Sequence, residues 1–446
     1  MGDPDDIVYP PLSFEPPKAQ RVALENGIIL YLLEDHVLPL VTLSAVVRAG
    51  SFYDPAGKEG LAELTGTVMR TGGTRSMTGD HVDETLDYIA ADLTVSVGTE
   101  SCTLSLSVLE ENLEKGLEIF SEILMNPVFA EEKVALAKSL EMEALRRIRD
   151  NPQQAAFREF RRLVYRGDPR GRLSTIESIE KVGRDDMLRF HRRFFHPSNT
   201  MIAVSGDIQS RELVVKIRSF LGGWGGPGKA QEAPPPPTPA EASLDYFYKD
   251  TPQSVILMGY HAPGKKNPDF YPFEVLDFII GSGGFRSRVF GEVRNRLGLA
   301  YSAGSFYSFR TSYGIFGTYA MVNAPSTLEA LSAVAGILDE IKSTGVKPEE
   351  LAWAKESIIN NFIFSFATPD RIVTEQVMLE YGGLPDNFLT TYKNNIEKVN
   401  LADIRDVASR YLSEENRVVL VLGDRKRFDT SLSTFGDFHV TEKDGR

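Results

Sequence analysis

Ile179-Glu180-Lys181-Val182 recurs as Ile396-Glu397-Lys398-Val399, 217 positions further along the chain. The same shift carries Gly206-Asp207 onto Gly423-Asp424, Pro152 onto Pro369 and Ala137-Lys138 onto Ala354-Lys355. One offset held across most of each half, with similar apolar runs between the anchors, marks an internal duplication. Between the copies Gly222-Gly223-Trp224-Gly225-Gly226-Pro227-Gly228 runs into Pro234-Pro235-Pro236-Pro237-Thr238-Pro239. Such a stretch cannot continue a helix or a sheet and reads as a semi-rigid extended spacer. The expected organisation is a first domain over 1–221, a linker over 222–242 and a second domain over 243–446. A length of 446 residues agrees, since it exceeds what one hydrophobic core usually supports.

Within the first copy, Ile28 to Leu32 and Val41 to Val47 read as strands, and a helix is expected from about Gly60. A third strand, Thr103 to Val108, leads into Leu113, Leu117, Phe120 and Leu124, whose spacing lays one apolar stripe along a helix that Pro127 stops. A long helix over about Glu131 to Arg149 and a strand over Asn199 to Ser205 complete the unit. The second copy repeats the plan with Ser254 to Tyr260, Ile315 to Val322, Thr327 to Ser343, Pro348 to Phe366 and Val418 to Leu422. The expected class is α+β: two homologous α/β-sandwich domains, each a mostly antiparallel sheet with helices packed on it.

Composition narrows the function. The formal net charge of −13 disfavours an electrostatic grip on nucleic acid or anionic lipid, and no stretch reaches the apolar length that spans a bilayer. The single cysteine, Cys102, sits in an alternating apolar run with Leu104, Leu106 and Val108 and reads as a small buried hydrophobe. The opening Met1-Gly2-Asp3-Pro4-Asp5-Asp6 has no apolar signal core, so the expected compartment is the cytosol or, favoured over it, a bacterial periplasm reached with a secretion signal already removed. The six histidines offer no familiar ligand pair: His36, His81, His261 and His439 are isolated, and His191 and His196 fall on different sides of a helix.

The chain resembles the insulinase/pitrilysin family, the zinc peptidases with an inverted H-x-x-E-H motif. The resemblance rests on Ala49-Gly50-Ser51 and Gly60-Leu61-Ala62, Asn126-Pro127, Asp150-Asn151-Pro152, His196-Pro197-Ser198-Asn199 with Gly206-Asp207, and Arg288-Val289-Phe290 through Arg294 to Gly298-Leu299-Ala300-Tyr301-Ser302. It covers both halves. Residue by residue, the family's two zinc histidines fall on Glu63 and Thr67, its catalytic glutamate on Gly66, and its third ligand on Ala144, with Glu141 and Glu143 close by. A catalytic zinc needs about three protein ligands and a carboxylate base for its water, and Glu63 alone supplies neither. No metal is expected on this chain. Arg294 and Tyr301 occupy the positions of the family's arginine and tyrosine, which the resemblance implies bind the substrate carbonyl and stabilise the oxyanion; guanidinium and phenol are suitable donors.

The reading that follows is a catalytically inactive subunit of a heterodimeric zinc metallopeptidase. Arg294 and Tyr301 would act in trans on a peptide or unfolded polypeptide held at the zinc site of a homologous H-x-x-E-H partner. The alternative is a structural or peptide-binding protein of the same fold with no part in proteolysis. A displaced metal centre built on Glu63, Glu141 or Glu143 ranks below both, because carboxylates alone suit harder cations than zinc. Gly281-Ser282-Gly283-Gly284 matches neither standard phosphate motif and reads as tight packing at a helix start.

Overall fold

The computed structural model describes residues 16–226 and 228–440. Its strands are β1 (Gln20–Ala23), β2 (Ile29–Glu34), β3 (Leu40–Val47), β4 (Asp92–Val97), β5 (Cys102–Leu109) and β6 (Thr200–Gly206) in the first half. The second half contains β7 (Ser243–Tyr248), β8 (Gln253–Ala262), β9 (Ala300–Phe309), β10 (Gly314–Asn323), β11 (Val418–Gly423) and β12 (His439–Val440). They form two six-stranded sheets, in the orders β1-β2-β6-β3-β5-β4 and β12-β7-β11-β8-β10-β9. From the second position inward the two orders are the same, and so are the strand senses: β2 and β6, like β7 and β11, pair in parallel, and the remaining neighbours are antiparallel. Only the outermost strand differs. β1 enters from the N-terminal side antiparallel to β2, whereas β12 returns from the C-terminal side parallel to β7.

The shared offset is visible in side chains. Lys138 Nζ donates to the carbonyls of Glu180 (2.9 Å) and Val182 (2.7 Å). Lys355 Nζ donates to those of Glu397 and Val399, the latter at 2.8 Å. Gly206 and Gly423 end the central parallel strands at φ 121° and 159°. A Cβ at Gly206 would lie 1.9 Å from the Leu40 carbonyl oxygen, so the repeated Gly-Asp pair is a backbone requirement.

Two large cores result, one per half, and two smaller clusters join them. The Pro152–Val164 helix of the first half lays Ala156, Phe160 and Leu163 against Leu257 and Leu420 of the second sheet. Reciprocally, Val373 and Val377 of the Pro369–Gly382 helix meet Val46 and Ala203 of the first sheet. Each helix starts on the proline that marks the repeat; Asn151 caps the first by accepting from Gln154 N (3.1 Å). The exchange explains why Val418–Leu422 is buried at every residue: the sheet is covered on one face by its own helices and on the other by its neighbour's.

The linker is extended, as its composition requires, but it is not a free spacer. Pro234, Pro237 and Ala240 are buried at every third position, the period of a polyproline II helix with one face packed. The Pro235 carbonyl accepts from Arg170 Nη2 (2.7 Å). The Pro348–Phe366 helix ends earlier than its sequence pattern, at Phe362, and tightens into a 3-10 turn over Ile363–Phe366.

Candidate functional site

Glu63, Gly66 and Thr67 lie on the Leu61–Thr71 helix, which packs under β4 and beside the Glu131–Arg147 helix. Gly66 is buried, while Glu63 and Thr67 are exposed. A Cβ at Gly66 would lie 2.5 Å from Val97 Cγ2 and 3.1 Å from Val95 Cγ1. The two β4 valines therefore occupy the volume that a longer side chain at residue 66 would need first.

The partner of Glu63 across the helix pair is Glu141. Although its side chain reaches solvent, the Glu63 carboxyl is held above the usual carboxylate range first by partial desolvation and then by the charge of Glu141. Glu141 also acts on Arg158, whose guanidinium is pulled down chiefly by burial and donates to the Ser174 carbonyl. Ala144, the position that the family alignment reaches, is exposed near the helix end. The first-half site thus presents two carboxylates near one guanidinium, with Thr67 turned to solvent. This donor set does not fit a zinc peptidase centre, which wants imidazoles and an open coordination position. Among the described residues no group of three or more His, Cys, Asp or Glu is placed to hold a metal ion.

The histidines are spent on structure or lie at the surface. His191 is buried, stacks on Phe195 (4.9 Å) and shares a hydrogen with the Leu124 carbonyl oxygen (3.0 Å); burial drives its pKa down to about 4. His261 bonds the Val164 carbonyl, while His36 and His81 are exposed. Cys102 is buried as a small hydrophobe, its thiol pushed up to about 12 by burial first and the Glu63 charge second.

Arg294 sits on a π-helical turn over Phe290–Arg296 rather than on a regular α-helix, exposed, with its guanidinium 4.8 Å from the Phe290 ring centre. Gly298 follows at φ 67° and turns the chain into β9. Tyr301 is the second residue of that strand. The β9–β10 register runs Met321 to Ser302 and then Val322 to Ala300, which leaves Tyr301 as the extra residue of a β-bulge. Bulges re-aim side chains, and Tyr301 stands 51% exposed with its hydroxyl 3.5 Å from Gln253 Oε1. Sequence reasoning singled out both residues as candidates but not the bulge or the π-helical turn, because neither has a side-chain signature. The sheet edges opposite β1 and β12 are β4 and β9.

Comparison with known proteins matches residues 31–175 to the model of the insulinase family, peptidase family M16, and residues 181–358 to the model described as the peptidase M16 inactive domain. The chain belongs to peptidase family M16. Among its curated M16 relatives, an uncharacterized zinc protease of Rickettsia bellii is 28% identical over 343 residues, covering 76% of this chain and 81% of the relative. The non-peptidase homolog YmxG of Helicobacter pylori is 25% identical over 399 residues, covering 88% and 91%. The M16 fold is shared with a solved peptidase M16 inactive domain from Pseudomonas fluorescens at TM-score 0.85 and 21% identity, over 92% of this chain and 98% of that one. A Helicobacter pylori protease superposes at TM-score 0.82 and 19% identity, over 92% and 100%.

Proposed function

We propose that this M16 chain is the non-zinc subunit of a heterodimeric peptidase, supplying Arg294 and Tyr301 to a hydrolytic centre that a homologous H-x-x-E-H subunit carries. The observation that supports this reading most is the contrast between the two halves. The first-half motif helix is closed against β4 by Gly66 and its valines, whereas Tyr301 is held outward on a bulge with exposed Arg294 on the preceding turn. A tyrosine kept only for packing would be drawn into the core. Both side chains are donors, and an oxyanion forming on a scissile carbonyl is the acceptor they suit. The substrate is a peptide or unfolded segment, which can lie along a free sheet edge by main-chain hydrogen bonds and so tolerate many sequences. The isolated chain then binds no stoichiometric zinc and cleaves nothing.

The test is reconstitution with the homologous zinc subunit. Tyr301→Phe is expected to lower turnover by about 100-fold, as loss of one pre-aimed oxyanion donor does, while leaving assembly intact by size-exclusion chromatography. Full turnover by the Phe variant, or zinc-dependent cleavage by the purified chain alone, overturns the assignment.

A further inference from the structure

The register of the two sheets locates a second copy of the motif site. Val95 pairs with Leu104, Leu104 with Ala45 and Ala45 with Ile202. In the other sheet Ser305 pairs with Thr318, Thr318 with Met258 and Met258 with Val419. Ile202 and Val419 are separated by the repeat offset, so Val95 and Ser305 are the same position of the two sheets, and Val97 matches Tyr307 two residues along. Gly66 packs on Val95 and Val97. Its counterpart is Asp277, on the Phe270–Asp277 helix, which accepts from Ser305 Oγ at 2.6 Å. Glu274, three residues earlier, then stands where Glu63 stands. On the opposite wall the Lys138–Lys355 equivalence brings Ala144 onto Asn361. What β4 fills with valines in the first half is open in the second: Glu274, Asp277, Tyr307 and Asn361 all line one cavity of about 250 Å³.

We propose that this cavity binds an alkylammonium group, either the side chain of a lysine in a polypeptide or a free aliphatic amine. Its floor is acidic: Asp277 is 5% exposed, and Glu274 Oε2 is screened from solvent without a hydrogen-bond partner. An orphaned buried acceptor is costly, and a neutral apolar guest would leave it so. The walls include Phe278, Phe309 and Phe362, whose faces attract a cation, and the rim of Ser282, Asn361 and Ser365 is exposed. The space is several times the ~30 Å³ of a water, enough for a short aliphatic stem. A divalent ion would demand about six oxygen ligands, more than these two carboxylates supply.

The charges around the floor come from each packed element. Burial pushes Glu274 up to about 7, with the Tyr392 hydroxyl opposing, the Asp277 charge adding and Lys265 relieving the shift. Burial likewise pushes Asp277 up to about 6 against the hydroxyls of Ser305 and Ser282. The empty site is thus close to neutral at mildly acid pH, and an entering ammonium takes the place of its protons.

The intact chain should be titrated calorimetrically with n-butylammonium and with a short lysine-containing peptide at pH 8 and pH 5.5. Saturable one-to-one binding at pH 8, at least about ten-fold weaker at pH 5.5, is expected, with proton release near pH 6.5. Binding of the peptide alone supports the lysine source, and binding of butylammonium supports a free amine as well. Glu274→Gln should weaken it about ten-fold or more, and Asn361→Trp, which closes the exposed rim without touching the acids, should do the same with unchanged circular dichroism. Glu63→Gln should have no effect. Failure of both probes, equal binding by an acetyl-lysine peptide, indifference to Asn361→Trp, or a thermal shift with calcium or magnesium but neither amine overturns the proposal.

Discussion

Gly66 and Val97 meet so closely that a Cβ on the glycine would lie 2.5 Å from the valine Cγ2. The glycine is the condition for β4 to lie directly on the motif helix. Gly66→Glu, which introduces the acid that the family resemblance implies at this position, should therefore destabilise the first half by about 1–3 kcal/mol through overpacking, and Val97→Ala in the same chain should recover much of that. Urea unfolding of the two single variants and the double variant checks this. Additive losses would mean that the side chain escapes past the valines.

Two buried groups should give opposite slopes of stability against pH. His191 has a pKa of about 4 in the fold and an ordinary value near 6.5 when unfolded. The unfolded chain therefore holds the extra proton between those values. The stability His191 contributes is complete above about pH 6.5 and is lost as pH falls toward 4, by roughly 3 kcal/mol. His191→Gln, which keeps a donor for the Leu124 carbonyl, should flatten that acid limb in denaturant titrations.

Glu274 works the other way. Its folded value of about 7 lies above the unfolded one, so its contribution is complete below about pH 4.5 and falls away as pH rises through 7, by roughly 3 kcal/mol. Glu274→Gln should shrink the neutral limb by that amount in the same titrations, leaving in place the parts that Asp277 and Asp54 contribute, with folded values of about 6 and 7, and the His191 limb.

Much of the fold was legible because the duplication is written in residues that the backbone demands. Gly206 and Gly423 must take positive φ, Pro152 and Pro369 begin helices, and Lys138 and Lys355 reach carbonyls at the same spacing. β1, β7 and β12 were not assigned as strands; β1 and β12 are short outer strands. The helix exchange between halves left no separate signal, since Phe160 and Val377 look like residues of their own cores. At the site, the missing histidines were plain from motif position. The nearness of the Glu141 charge to Glu63 and the exposure of Ala144 depend on helix phase and length, which alignment does not carry. The second-half cavity was missed because Glu274-x-x-Asp277 matches no motif until strand register shows which positions it copies.

The helix exchange itself is testable at Phe160 and Gly259. A Cβ at Gly259 would come within 2.3 Å of Phe160 Cζ and 2.8 Å of the Phe316 carbonyl oxygen, so the glycine lets the Pro152–Val164 helix of one half lie on the sheet of the other. Phe160→Ala should cost about 3–5 kcal/mol, read in urea, with the earliest loss in hydrogen-exchange protection at β8 and β11. Protection lost first in β2 and β6 would place the coupling elsewhere.

Arg170 is the bolt between the halves and gives the sharpest stability prediction. It is fully buried, donates to Glu100 Oε1 (3.0 Å), to both Asp168 carboxyl oxygens (3.0 Å each) and to Tyr313 Oη (2.8 Å), and lies 4.8 Å from the centre of the Phe52 ring. Glu100 and Asp168 belong to the first half, Tyr313 to the second, and the Pro235 carbonyl it also holds belongs to the linker. Removing the cation alone strands two carboxylates, so Arg170→Met should destabilise by about 3–5 kcal/mol. Adding Glu100→Gln and Asp168→Asn to that variant removes the stranded charges and should restore a large part of the loss, because much of the penalty lies in the uncompensated acids rather than in the pair's net worth. Equal unfolding midpoints for the single and triple variants would show that Arg170 acts through its packing on Phe52 and Tyr313 instead.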